Sequence, residues 1–192
     1  VTISMQSLLF GMLMWLTNGT SLYDLPDWLT TPIRVLPFSV GEQHYQIGLP
    51  VVVMLAVAGL SWVLLNKTHL GRQLLAVGGD QESARRIGIR VGLLHLFAYG
   101  YLGAMAAIGG LVQVYRVGEV VPNALVGGEL DVLAAAVLGG ASLNGGKGSV
   151  VGTLMGVFLI GVLKNGLNLI GVSSYFMNIV IGVVIVAAIT VT

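Results

Sequence analysis

Apolar stretches long enough to cross a bilayer follow one another along this sequence, and they constrain its fold more than any other feature. Hydrophobic residues make up 56% of the chain and charged residues only 9%, against about 25% in soluble domains. A chain so poor in charge lacks the polar surface that a soluble domain needs, whereas lipid accepts apolar side chains. The composition therefore predicts an integral membrane protein built from α-helices.

The hydropathy pattern divides the chain into five or six membrane segments. They cover approximately residues 2–17, 47–65, 91–115, 129–143, 150–170 and 175–191. Segment 129–143 is short for a full crossing, so it either crosses the membrane or re-enters from one side. We predict an all-α polytopic bundle that forms one transmembrane domain over residues 1–192. Because apolar sequence reaches both ends, we expect this chain to be a fragment of a longer protein.

Positive charge is concentrated in one connecting loop. Residues 66–90 contain five Lys or Arg residues, whereas residues 18–46 contain one. Cytoplasmic loops are enriched in Lys and Arg, so this asymmetry places loop 66–90 in the cytoplasm. The turn 144–148 is then also cytoplasmic if segment 129–143 crosses. The net charge of +1 argues against a nucleic-acid partner.

Capping signals within the cytoplasmic loop predict one short helix. Asp80 can cap its N-terminus, and Glu82 in the first turn suits the positive end of the helix dipole. Arg85 and Arg86 suit the last turn, and Gly88 can take the left-handed conformation that follows many helices. Such a helix favours either docking in the groove of a partner or resting on lipid headgroups.

Small residues recur every four positions at Gly148, Gly152 and Gly156. This spacing places them on one face of segment 150–170, where a second helix can approach closely. We interpret them as a packing face, with a glycine-lined substrate path as the alternative.

Few polar side chains lie in the membrane segments. Asn165 and Asn168 share a helix face, and they either hydrogen-bond a neighbouring helix or line a polar path. We expect the long side chain of Lys164 to reach the outer membrane interface. Glu129 and Asp131 are two positions apart and do not share a helix face, which argues against a paired-carboxylate site.

The pattern of reactive residues argues against an enzyme. The chain contains no cysteine and three scattered histidines, and it shows neither clustered metal ligands nor a nucleophile with its base. The stretch 140–149 is similar to a phosphate-binding loop, but Gly148 follows Lys147 where Ser or Thr is required. We therefore predict a non-catalytic protein without a cofactor or metal.

Four blocks of sequence are distributed along the chain between Val1 and Tyr175. They are Val1–Pro26, Gly71–Ile89 (GRQLLAVGGDQESARRIGI), Gly128–Gly156 (GELDVLAAAVLGGASLNGGKGSVVGTLMG) and Gly161–Tyr175 (GVLKNGLNLIGVSSY). Taken together, they resemble the permease subunits of bacterial ATP-binding-cassette (ABC) importers for ribose and related monosaccharides. The resemblance implies the C-terminal part of a longer, multi-pass permease in the bacterial inner membrane.

The resemblance also implies a role for loop 66–90. In such permeases this loop carries a coupling helix, and the positions that correspond to it here are Asp80, Glu82, Ser83, Ala84, Arg85, Arg86 and Gly88. A cytoplasmic ATPase would hydrolyse ATP and move this helix, and we expect the small Ala84 to make the contact. The other implied partners are a second permease copy, identical or not, a periplasmic sugar-binding protein, and membrane lipid.

Two alternatives to a monosaccharide permease remain open. Branched-chain amino-acid permeases of the same superfamily share an AAAVLGG block followed by glycines, which occurs here at residues 134–140. A stand-alone channel or secondary transporter is the second alternative. Such proteins usually carry ionisable residues at mid-membrane depth, whereas the spans here hold few beyond His95 and Lys164.

Overall fold

The secondary structure follows the apolar segments closely. The computed structural model describes residues 2–26, 29, 34–40 and 43–191. Along the chain the elements are α1 (Thr2–Thr17), β1 (Arg34–Val40), β2 (Gln43–Gly48), α2 (Leu49–Lys67), α3 (His69–Gly79), α4 (Gln81–Arg86), α5 (Val91–Val117), α6 (Gly128–Leu138), α7 (Val150–Leu169) and α8 (Ser174–Val191).

Three of these helices, α2, α5 and α7, are long and apolar enough to cross a membrane. They contain 19, 27 and 20 residues, with mean hydropathies of 2.1, 1.6 and 1.8. At about 1.5 Å per residue, even α2 approaches the hydrocarbon thickness of about 30 Å. The predictions for segments 2–17 and 175–191 correspond to α1 and α8. The prediction of a polytopic membrane protein built as a helical bundle is confirmed.

The chain divides into two compact units. The first comprises Val1–Val57 and Gly100–Ala124. In it, β1 and β2 form a two-stranded antiparallel sheet that the sequence pattern did not predict. The Leu22 and Val120 backbones also pair, with N–H to O distances of 3.1 and 3.0 Å. The chain that follows α1 and the chain that follows α5 therefore meet, as expected for two loops on one side of a membrane.

The second unit comprises Ala58–Tyr99 and Leu125–Thr192. It contains two clusters of buried apolar side chains. The first, which we call the loop cluster, consists of Val77, Ala84, Val91 and Leu94. The second, the hairpin cluster, consists of Ala134, Ala135, Ile160 and Ile181. The loop cluster holds α4 against α3 and the start of α5, and the hairpin cluster joins α6, α7 and α8.

Candidate functional site

The site begins at the sharp junction between α2 and α3. Thr68 caps α3, because its Oγ1 accepts a hydrogen bond from the Gly71 N–H at 3.1 Å. The same hydroxyl donates to the Leu64 carbonyl oxygen at 2.6 Å. A Cβ on Gly71 would lie only 2.6 Å from the Leu65 Cα, so a side chain has no room in this corner.

Helix α3 was not predicted from the sequence pattern, which indicated an undivided loop there. Two signals could have revealed it. Thr68 is a residue type that often caps helices, and Leu70, Leu74 and Val77 recur at the spacing of one helical face. In the structure Val77 belongs to the loop cluster, and Leu74 packs against that cluster.

The predicted short helix is present as α4, and Asp80 fixes its beginning. Asp80 Oδ1 accepts hydrogen bonds from the backbone N–H groups of Glu82 at 2.9 Å and Ser83 at 3.1 Å. The Ser83 hydroxyl donates to Asp80 Oδ2 at 2.5 Å. The Ser83 hydroxyl, followed by the backbone donors, lowers the pKa of Asp80 below its ordinary value, since these bonds favour the ionised carboxylate.

A left-handed glycine ends the same helix. Gly88 has a φ of 86°, and its N–H donates to the Arg85 carbonyl oxygen at 3.0 Å. The Ile89 N–H donates to the Ala84 carbonyl oxygen at 3.1 Å. These two bonds form the Schellman arrangement that satisfies the last carbonyl groups of a helix. Both ends of this six-residue helix are therefore closed by specific hydrogen bonds.

The expectation that Ala84 makes contact with a partner is wrong for this conformation. Ala84 is only 2% exposed and belongs to the loop cluster, beside Val77, Val91 and Leu94. Its small side chain lets α4 lie close to its neighbours within the same chain. Ile87, which helical spacing would place on the same face, is instead 76% exposed.

The outward surface of α4 is charged, with one large apolar side chain at its end. Four residues line a shallow depression there: Gln81, Glu82, Arg85 and Arg86. Arg86 and Glu82 form an exposed ion pair at 2.7 Å, which adds little stability in water. Within the described residues Arg85 has no ion pair, so its charge is available. This surface combines charge with an exposed Ile87.

Four glycines join the start of this region to a distant turn. We call the approach of Gly78 and Gly79 to Gly145 and Gly146 the glycine contact. A Cβ on Gly78 would lie 2.8 Å from the Gly146 nitrogen, and a Cβ on Gly146 would lie 2.7 Å from the Gly79 Cα. The two backbones therefore touch without intervening side chains. The stretch 140–149, which fails as a phosphate loop, supplies half of this contact.

Beyond the turn, α6 and α7 form a helical hairpin in close contact. A Cβ on Gly139 would lie 2.6 Å from the Thr153 Cα, and one on Gly156 would lie 3.1 Å from the Gly139 nitrogen. Gly152 likewise faces the Gly139 carbonyl. Two of the three glycines predicted to pack thus lie against α6. Gly148 does not belong to this face, because Ser149 caps α7 and Gly148 precedes the helix.

An ion pair lies at the other end of the helical hairpin. Lys164 Nζ is 2.5 Å from Asp131 Oδ2, and the two side chains are 37% and 31% exposed. Lys164 therefore has a partner within the chain, and its position at the outer interface stays a prediction. Helical side chains tilt toward the helix N-terminus, and that direction brings Lys164 back to the carboxylate on α6.

The remaining polar residues of α7 are not part of this pair. The side chains of Asn165 and Asn168 are exposed. In the described part of the chain neither makes a side-chain hydrogen bond, so their role stays a prediction. No group of three or more His, Cys, Asp or Glu residues that could hold a metal ion occurs among the described residues.

The glycine contact and the Asp131–Lys164 pair indicate how segment 129–143 is placed relative to the membrane. Helix α6 has 11 residues, or about 16 Å at 1.5 Å per residue, which alone is too short to cross. The segment nevertheless runs from the Lys164 end of α7 to the glycine contact, beside α3. The turn 144–148 therefore lies on the same side as the 66–90 loop, which is the arrangement that a crossing requires.

Comparison with known proteins places these features in a family. Residues 1–189 match the family described as branched-chain amino acid transport system, permease component. The ribose import permease protein RbsC of Escherichia coli K12 is 41% identical over 197 residues, covering 99% of this chain and 58% of that protein. RbsC of Bacillus subtilis is 42% identical over 154 residues, covering 79% of this chain and 48% of that protein.

A third relative is named for a different sugar. The galactose/methyl galactoside import permease protein MglC of Escherichia coli K12 is 40% identical over 136 residues, covering 71% of this chain and 40% of that protein. No solved structure matches the chain. The chain spans about half the length of the curated relatives it matches. The match over residues 1–189 and the apolar helices show that this multi-pass membrane chain belongs to the family described as the permease component of branched-chain amino acid transport systems.

Proposed function

We propose that this chain is the C-terminal part of the permease subunit of an ABC importer for a ribose-like monosaccharide. The relatives with 40 to 42% identity are named as ribose and galactose import permeases. The observation that carries the proposal is α4, a short helix closed at both ends, with one buried face and one charged, exposed face. A helix of this kind can transmit force from a docked partner.

In this proposal α4 is the coupling helix, and a cytoplasmic ATPase docks on its exposed surface. Glu82, Arg85 and Arg86 supply charge, and Ile87 supplies an apolar anchor. Asp80, Ser83 and Gly88 hold the helix in shape, and Ala84 fixes it to the loop cluster. The permease itself performs no chemistry, since ATP is hydrolysed on the partner chain.

The other assignments follow from the same proposal. Two permease copies pair in the bacterial inner membrane, and a periplasmic sugar-binding protein delivers the substrate to the outer side. The glycine contact supports a cytoplasmic turn 144–148, because it lies against the end of α3, which leads directly into α4. The Leu22–Val120 pairing supports a common outer side for the loops that follow α1 and α5.

The docking surface can be tested with the full-length permease and its ATPase. Arg85→Glu and Ile87→Asp change exposed side chains, so the permease should accumulate normally in membranes. Copurification of the ATPase and sugar-stimulated ATP hydrolysis should both fall about tenfold, as expected when a central interface residue contributing about 1.4 kcal/mol is lost. Arg72→Glu, an exposed charge reversal on α3, is the matched control and should behave as wild type. Unchanged copurification in both α4 variants would refute the assignment.

The family description favours a second substrate class, branched-chain amino acids. Uptake into proteoliposomes distinguishes the two substrates. The proposal expects ATP-dependent uptake of labelled ribose or galactose and no uptake of labelled leucine. Leucine uptake would identify the amino-acid class, and uptake without any ATPase would identify a stand-alone transporter.

A further inference from the structure

The glycine contact links two parts of the second unit that are otherwise built separately. On one side, α3 and α4 are held by the loop cluster, in which Val77 lies one residue before Gly78. On the other side, α6, α7 and α8 are held by the hairpin cluster. Between them, Gly78 and Gly79 touch Gly145 and Gly146 backbone to backbone.

Contacts of this kind transmit displacement well. A side chain in the interface could rotate to another rotamer and absorb a small movement, whereas two touching backbones cannot. Packed interiors are stiff for the same reason, because atoms at van der Waals distance have no free space to move into. A shift of α3 toward the turn 144–148 must therefore move that turn.

The turn 144–148 connects α6 to α7, and these two helices are themselves closely packed. Gly139 lies against the backbone of Gly152 and Thr153, and Gly156 lies against Ala135. Farther along, Lys164 pairs with Asp131. Close contact at successive turns, followed by an ion pair, indicates that α6 and α7 move as one body.

We infer that Gly78, Gly145 and Gly146 are positioning residues of the transport cycle, which carry motion of the docked α4 to the α6–α7 hairpin. This inference rests on the proposed function of α4. Movement of α4 displaces α3 through Ala84 and Val77, and the glycine contact passes the displacement to the turn 144–148. The hairpin then carries it toward the Asp131–Lys164 end.

Two neighbouring glycines provide the test and its control. A Cβ on Gly78 would lie 2.8 Å from the Gly146 nitrogen, whereas a Cβ on Gly79 would make an ordinary contact of 3.8 Å with the Gly146 Cα. Both residues lie at the end of α3, so Gly78→Ala and Gly79→Ala add the same methyl group to the same helix. Only the first forces the glycine contact apart.

The measurement uses the full-length permease, its ATPase and its binding protein reconstituted in proteoliposomes. In Gly78→Ala, the ATPase should copurify normally, but the amount of sugar transported per ATP hydrolysed should fall severalfold. Gly79→Ala should retain the wild-type ratio. A merely structural defect would lower the amount of assembled complex and would leave this ratio unchanged.

A second pair of variants tests the other side of the contact. Gly145 and Gly140 have φ values of +85° and +83°, but only Gly145 has atoms within 4 Å of its Cβ position, all from Gly78. Because the two φ values are nearly equal, an alanine would be equally strained at both positions, and the two variants differ only in the contact with Gly78. Gly145→Ala should lower the transport ratio, and Gly140→Ala should not.

The outcomes separate the two proposals. If wild-type permease fails to copurify with the ATPase or fails to import sugar, the proposed function is wrong. If wild type does both, and Gly78→Ala and Gly145→Ala keep the wild-type ratio, only the role of the glycine contact is refuted. Equal losses in each variant and its control would refute that role as well.

Discussion

The helix α4 and the α6–α7 hairpin are both short, yet they are held in different ways. Helix α4 depends on hydrogen bonds between close neighbours in sequence, from the Asp80 cap to the Gly88 turn. The hairpin depends on close packing between distant residues, with Gly156 against Ala135, and on one ion pair. The first arrangement depends mainly on local polar groups, and the second depends mainly on the shapes of the surfaces in contact.

This difference suits the roles proposed for the two regions. A docking helix must keep its form while one face is exposed to water, and local polar bonds achieve this without a large buried core. A helical hairpin in lipid gains little from the hydrophobic effect between its helices, so van der Waals contact must hold it together. Substitutions should therefore affect the two regions through separable mechanisms.

The largest effect is expected from a bulky side chain within the hairpin. In Gly156→Leu the new Cβ would meet the Ala135 carbonyl, so the helices must separate, and the free energy of unfolding should fall by about 3 kcal/mol. Gly161→Leu on the same helix is the control, since nothing lies within 4 Å of its Cβ position. Thermal unfolding of the two variants in detergent gives the comparison. Equal losses would show that α7 packs through a different face.

A smaller effect is expected from breaking the ion pair at the far end of the hairpin. Asp131→Asn or Lys164→Gln leaves one charge without its partner in a partly buried site, at a cost of about 2 kcal/mol. The double variant should be less destabilised than the sum of the two single variants, because it leaves no unpaired charge. Thermal unfolding of all four proteins forms a double-mutant cycle. Simple additivity would mean that the two side chains do not interact.

The same contrast explains how much of the structure could be predicted from sequence. The ends of α4 were predictable, since Asp80 and Gly88 act on atoms within a few residues. The packing of Gly152 and Gly156 was predictable only in part. Their spacing indicates a helix face lined by small residues, but it does not identify α6 as the helix that packs there. Glycine content alone is a weak guide, because Gly103 and Gly110 on α5 have nothing within 4 Å of their Cβ positions.

Contacts between residues far apart in sequence account for the errors. The ion pair of Lys164 was missed, because no local signal relates it to Asp131. Ala84 was expected on a partner surface, since its burial depends on Val91 and Leu94 in the following helix. The glycine contact was missed for the same reason. Its members lie in separate loops, and no periodic pattern relates them.

A still smaller loss of stability is expected from a substitution at the C-terminal end of α4. Gly88→Ala places a Cβ at a φ of +86°, where a residue with a side chain is strained by about 1 kcal/mol. Hydrogen exchange over residues 80–89 should therefore become faster, while the α6–α7 hairpin keeps its protection. Gly92→Ala, near the start of α5 and with nothing within 4 Å of its Cβ position, is the control. Unchanged exchange in Gly88→Ala would show that the Schellman bonds do not limit the opening of α4.

The smallest effect is a pH dependence of the opening of α4. Hydrogen bonds from Ser83 and Glu82 lower the pKa of Asp80, so the folded helix favours the ionised carboxylate. The resulting stabilisation is complete above the unfolded pKa of about 4 and is lost as the pH falls through the lower, folded value. Hydrogen exchange of α4, corrected for the intrinsic rate, should therefore accelerate only below about pH 4. Asp80→Asn keeps a capping side chain but does not titrate, so its corrected exchange should stay flat over the same range. An identical acceleration of α4 in Asp80→Asn would assign the pH dependence to another group.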